Sequence, residues 1–204
     1  MRIRIGIGLV MVGAAVAMAA QERPLRVVDT VDYKRYAGTW FEIARLPNRF
    51  EDKCVGDITA TYTVRKDGRI DVKNRCREAD GSYSDAMGIA RRVEGQPPSV
   101  LKVRFAPAFL TWLPAVWGDY QIIELAADYS HVVVGSPNRQ YLWILSRAPK
   151  MDDTLYRSLL KAAESQGFVT TGMVRVEHGR PGPSESRRWT GPVVADVTSS
   201  VWRN

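Results

Sequence analysis

The chain has 204 residues, 45% apolar and 25% charged, the composition of a globular domain and not of a low-complexity or fibrous chain. Its net charge of +7 is mostly terminal: Arg2 and Arg4 supply two, and residues 178–204 supply a net two more from four arginines against Glu185 and Asp196. About three positive charges remain for the middle of the chain, which excludes the dense basic groove with interleaved aromatics that nucleic acid would need.

Residues 1–19 read as a secretory signal peptide. Arg2 and Arg4 precede an apolar run from Ile5 to Val16, and Ala17-Met18-Ala19 supplies a small-residue cleavage site. An uncleaved N-terminal anchor is the competing reading. Residues 20–29 form an N-terminal arm, and "VDYKRYAG" is a turn-like segment ending at Gly38. From there the apolar period becomes two. "TWFEIARL", "DITATYTV", "RIDVKNRC", "YSDAMGIARRV", "VLKVRF", "DYQIIEL", "HVVVGS" and "YLWILSR" are eight strands. They are separated by short turns such as "RKDG", where Gly68 supplies the positive φ. "MDDTLYRSLLKAAESQGF" is an amphipathic helix with Asp152 or Asp153 as N-cap, an apolar stripe of Leu155, Leu159, Ala162 and Ala163, and Gly167 as its stop. "TTGMVRVEH" adds a short ninth strand, and residues 179–204 are a Pro/Gly/Ser/Arg-rich tail that reads as disordered.

Eight antiparallel strands with one apolar face each are expected to close, because open sheet edges invite aggregation. The fold expected is all-β: an eight-stranded up-and-down barrel over residues 30–178, with the single helix outside. A barrel of that size leaves room for one small ligand.

Cys54 and Cys76 are the two cysteines of the chain. In an exported protein an even count points to a disulfide. A free catalytic thiol is the alternative. A metal pair lacks ligands, since the only histidines are His131 and His178. No G-x-S-x-G, phosphate loop or zinc spacing is present, so neither enzyme nor cofactor is expected.

Three separated motifs resemble the lipocalin family, most closely its bacterial and plant-type branch related to apolipoprotein D. They are Gly38-Thr39-Trp40, within "RYAGTWFEIARLPNRFE"; Gly118-Asp119-Tyr120, like the family's T-D-Y with Gly for Thr; and Arg147, closing "YLWILSRAP". The resemblance covers about residues 30–177. It implies that Gly38 turns the chain into the barrel, and that Trp40 seals the closed end with Arg147 across its indole. It further implies fatty acids or lysophospholipids as ligands. Bacterial members are often lipidated on a cysteine after the signal; "AVAMAAQERP" has none, so a soluble periplasmic or secreted protein without a lipid anchor is expected.

Strand parity points Tyr62, Val64, Val72, Asn74, Val103, Phe105, Tyr141 and Trp143 inward as ligand contacts, with Ala60, Ile70, Leu101 and Leu145 as further lining. Glu42 shares the parity of Trp40, and a structural acid near the floor is the plainer account of it. Between Ala106 and Trp117 no residue is charged. This stretch, with Phe109 and Trp112, is expected at the open mouth, either as a lid or as a peripheral membrane contact through residues 107–116. The resulting expectation is a carrier of a small amphiphilic lipid. An interaction module using the apolar mouth is the alternative, and a cavity-thiol enzyme requires Cys76 to be free. Monomer and dimer both remain open.

Overall fold

The computed structural model describes residues 23–105 and 116–179. The expected signal peptide, the tail beyond Gly179 and the 106–115 stretch with Phe109 and Trp112 lie outside the described residues. In chain order the elements are α1 (Tyr33–Tyr36), β1 (Gly38–Arg45), β2 (Cys54–Val64), β3 (Ile70–Glu78), β4 (Tyr83–Arg92), β5 (Val100–Arg104), β6 (Gly118–Leu125), β7 (His131–Gly135), β8 (Leu142–Ser146), α2 (Asp153–Glu164) and β9 (Val174–Arg175). From β1 to β8 each strand pairs antiparallel with its sequence neighbours, and β1 pairs with both β2 and β8, which closes the ring. β9 adds to β1 alone. The structure is thus a closed eight-stranded antiparallel barrel with one extra strand and a helix outside.

Two apolar clusters follow from the alternation of side chains along the strands. The inner one contains Trp40, Tyr62, Ile70, Val72, Leu101, Ile122, Val132, Val134 and Leu145. The outer one joins Ile43, Ala44, Ile123, Val133 and Ile144 to Tyr156, Leu159 and Ala163 of α2. Val133 of β7 faces outward into the α2 cluster while Val132 and Val134 face the barrel interior, so all three consecutive valines are fully buried. The helix starts where the Asp152 carboxylate accepts from the Thr154 and Leu155 amides. Tyr156 is buried in place of the expected Leu155 and Ala162, each only partly covered. Residues 23–29, within the expected N-terminal arm, are tied to the barrel and to the end of α2. Leu25 joins the outer cluster, Val28 N–H donates to the Ile122 carbonyl, and Arg26 N–H donates to Gln166 Oε1.

One part of the wall is not built from β1 and β2. These strands pair from Gly38↔Tyr62 to Phe41↔Thr59, and the β1 register then shifts between Glu42 and Ala44. Beyond the shift residues 174–179 run between them. Ala44 and Arg45 pair with Arg175 and Val174. Val176 N–H donates to the Ile43 carbonyl and Asp57 N–H to the Glu177 carbonyl, both at 2.9 Å. Gly179 N–H donates to Asp57 Oδ1 at 2.6 Å, and His178 Nε2–H donates to the Glu42 carbonyl at 2.8 Å.

Candidate binding site in the barrel

Gly38 opens β1 at a φ of 94°, a value that L side chains adopt with strain, and this lets the chain turn from α1 into the barrel wall. Trp40, two residues on, is fully buried and its Nε1–H donates to the Tyr36 carbonyl at 2.8 Å. The Arg147 guanidinium lies 3.9 Å from its ring centroid and donates to the carbonyls of Arg35, Tyr36, Ala37 and Thr39. Asp119, from the second motif, is on the outer face in an ion pair with Lys102 at 2.7 Å.

Tyr120, its neighbour, points inward. Its hydroxyl meets those of Tyr36 at 2.6 Å and Tyr62 at 2.9 Å. Burial raises all three phenols, Tyr62 to about 12, where the nearby Glu42 adds to the effect and the Tyr120 hydrogen bond opposes it. Three phenols carry three protons, and the two contacts use two. These tyrosines share with Ile70, Val72, Ala90, Leu101 and Val103 a cavity of about 10 Å³, room for one water.

At the other end of the barrel the inner wall becomes polar. The register shift at Ile43 turns Arg45 inward opposite Trp143, which belongs to the inner cluster. Arg45 Nη1 donates to Glu42 Oε1 at 3.1 Å, and Arg45 Nε lies 2.9 Å from Glu51 Oε2 on the β1–β2 loop. The three side chains are 9, 5 and 14% exposed. Asn48 Nδ2 holds the same Glu51 oxygen at 2.7 Å. Burial, and then the Glu51 carboxylate, push the Glu42 carboxyl well above its ordinary range, and Arg45 only partly offsets them. Glu42 thus holds its proton more tightly than an ordinary carboxyl, beside the Arg45–Glu51 ion pair. Phe50, Tyr141 and Trp143 line up beside the cluster, with ring centroids 5.5 and 5.8 Å apart.

Most parity assignments hold as positions. Tyr62, Val72, Val103 and Trp143 are in or against the inner cluster. Asn74 faces inward between Ala60 and Ala86, and its Oδ1 is buried without a hydrogen-bond partner. Tyr141 sits just before β8 at the rim, and Phe105 lies across Gly88 with 43% exposure. Val64 is a correction. β2 runs past the start of β1 at Gly38↔Tyr62, so Val64, paired with Ile70 at the hairpin, has no β1 neighbour and is 38% exposed. Arg45 was missed, because a one-residue bulge reverses every parity after it and nothing in "FEIARL" marks the bulge.

Cys54 and Cys76 form the disulfide, with Cα atoms 5.6 Å apart. This removes the thiol that the enzyme alternative required. His131 pairs with its neighbour Ser130 and His178 with a backbone carbonyl, so both have structural partners. Among the described residues no cluster of metal-ligating side chains is present, and no helix is long and apolar enough to cross a membrane.

The lipocalin-like domain family matches residues 31–178. Temperature-induced lipocalin-1 of Arabidopsis thaliana is 37% identical over 150 residues, which is 72% of this chain and 80% of that protein. Outer membrane lipoprotein Blc of Escherichia coli K12 is 37% identical over 156 residues, 76% of this chain and 84% of that protein. Among solved structures, lobster apocrustacyanin A1 superposes with a TM-score of 0.58 at 18% identity, covering 76% of this chain and 84% of that one.

Proposed function

The chain belongs to the lipocalin family, and from that premise we propose that it binds and carries a small amphiphilic lipid, a fatty acid or lysophospholipid, as an exported protein of the cell envelope. The observation that carries the reading is the split of the barrel interior. An apolar inner wall suits an acyl tail, and the cluster around Arg45 suits a polar head that cannot be left unpaired in an apolar site. A sealed floor at Trp40 and Arg147 leaves the opposite end for exchange. The phenols of Tyr36, Tyr62 and Tyr120 stand where a descending tail would stop. Each buried methylene contributes about 0.8 kcal/mol before association costs. Affinity is therefore expected to rise with chain length and then level off at the tyrosines. The test is native mass spectrometry of the purified protein with extraction of bound lipid, followed by tryptophan-fluorescence titration with fatty acids of graded length. Fluorescence unmoved by every chain, with no lipid extracted, would overturn the reading.

A second reading is favoured by Phe50, Tyr83 and Phe105, which are 64, 48 and 43% exposed at the open end. Such a rim fits an apolar docking surface for the envelope membrane. Flotation of the protein with phospholipid vesicles tests it, and absence from the vesicle fraction would remove it.

A further inference from the structure

Arg45 is an arginine with a poor partner. Its Nε lies 2.9 Å from Glu51 Oε2, yet that N–H is buried and makes no well-directed hydrogen bond. Its Nη2 reaches only the Glu51 carbonyl, at 3.5 Å. The good contact is Nη1 to Glu42 at 3.1 Å. A guanidinium presents parallel N–H groups that match one carboxylate or phosphate face-on, and Glu51 does not offer that face. The reason is its tether. Asn48 Nδ2 shares the same oxygen at 2.7 Å and fixes its direction, and the Glu51 backbone carbonyl is committed to Cys54 N–H at 2.9 Å.

We propose that Arg45 is the anion receptor of the barrel, and that Glu51 is a tethered placeholder which the acidic head of an incoming amphiphile displaces. This rests on the lipid-binding reading and specifies its ligand as one with an anionic head. Exchange conserves charge: one carboxylate leaves the guanidinium and another anion arrives. A neutral head offers no such exchange. Displacing Glu51 with it would leave a buried cation unpaired, which is strongly unfavourable. Glu51 is on the β1–β2 loop, between Arg45 and Cys54, so its side chain can swing outward without breaking a strand. Glu42 stays behind, still in contact with Arg45 Nη1 at 3.1 Å.

The experiment compares hexadecanoic acid, hexadecanol and a palmitoyl lysophosphatidylglycerol on the full-length protein, on Glu51→Gln and on Arg45→Met, with thermal denaturation of each variant beside the binding data. The wild type is expected to prefer the acid over the alcohol. Glu51→Gln should raise the acid-to-alcohol affinity ratio by about tenfold, because the competing charge is gone. Arg45→Met should bring the ratio near one. If only the lysophospholipid responds to the two substitutions, the anion recognised is a phosphate; if only the fatty acid responds, it is a carboxylate. A ratio unchanged by Glu51→Gln overturns the placeholder even if Arg45→Met fails to fold. Binding of no probe by any variant overturns the lipid-binding reading instead.

Discussion

Arg147 sits on Trp40 with 3.9 Å between the guanidinium carbon and the ring centroid, and it also gathers four backbone carbonyls of the α1–β1 junction. One cation thus covers the buried indole and fastens the short helix to the first strand. Trp40→Ala is expected to cost about 3–5 kcal/mol through the cavity it leaves. Arg147→Ala should cost less, since water reaches its outer partners. Urea unfolding measures both. Ligand affinity per folded molecule should stay constant, and an affinity collapse at unchanged stability would place these residues in the binding site.

The buried Glu42 predicts a pH dependence of defined sign. Its folded pKa is raised above the ordinary 4.5 by burial first and Glu51 second, so the folded state keeps a proton that the unfolded chain releases. Below about pH 4.5 both states are protonated and the group contributes no slope. Above that, stability falls as pH rises, by at most about 1.4 kcal/mol per pH unit, until folded Glu42 itself ionises. In Glu42→Gln this loss should be absent. The difference in unfolding free energy between variant and wild type should therefore widen from acid toward neutral pH, and a flat difference would contradict the assignment.

Asp57 behaves in the opposite sense. Burial alone would raise its carboxyl, but hydrogen bonds from Arg77 and the Gly179 amide, together with the Arg77 charge, hold it below the ordinary range. Its contribution is present above pH 3.8 and is lost as pH falls through the lower folded value. Asp57→Asn should cost about 1.5–3 kcal/mol and speed amide exchange at Asp57 and Val176. Exchange rates equal to wild type would show that residues 174–179 stay in the wall without it.

The Cys54–Cys76 bridge spans 22 residues and should contribute about 3 kcal/mol by restricting the unfolded chain. Denaturation midpoints with and without reductant measure it. Cys54→Ser with Cys76→Ser should reproduce the reduced value.

A Cβ on Gly88 would lie 2.7 Å from the Phe105 ring. Gly88→Ala should therefore drive that ring off the inner face of β4, at a cost of about 1–3 kcal/mol. Faster capture of ligand by the variant, seen in stopped-flow fluorescence, would mark Phe105 as an obstruction at the mouth; an unchanged rate would make its packing purely structural.

The barrel was legible in the sequence because its signals are local. Period-two runs, turn glycines and the caps of α2 each act within a few residues, and Gly38, Trp40 and Arg147 stand at strand ends where the resemblance is strongest. The Arg45 cluster was not legible, because it depends on a bulge set by tertiary pairing and on Glu51 folding in from a loop. Val64 failed for a related reason: parity gives the face a residue takes but not where along the strand the barrel stops. Tyr120 was read as a signature residue and Tyr62 as a ligand contact, while their hydrogen bond depends on strands 58 residues apart in the chain.

The place of residues 174–179 in the wall has a consequence for the order of assembly. During synthesis all eight barrel strands emerge before the segment that completes the gap between β1 and β2. Until it arrives, the β1 edge at Ile43–Arg45 lacks its β9 and Val176 partners, and the ring stays incomplete beside its mouth. Completion of this seam is thus a long-range event made last, which slows folding and favours a fully delivered chain over a partial one. The same geometry sets the order of opening under load. Tension on the chain after Gly179 would unpick this seam first and part the barrel sideways, while Arg147 still held the opposite end shut.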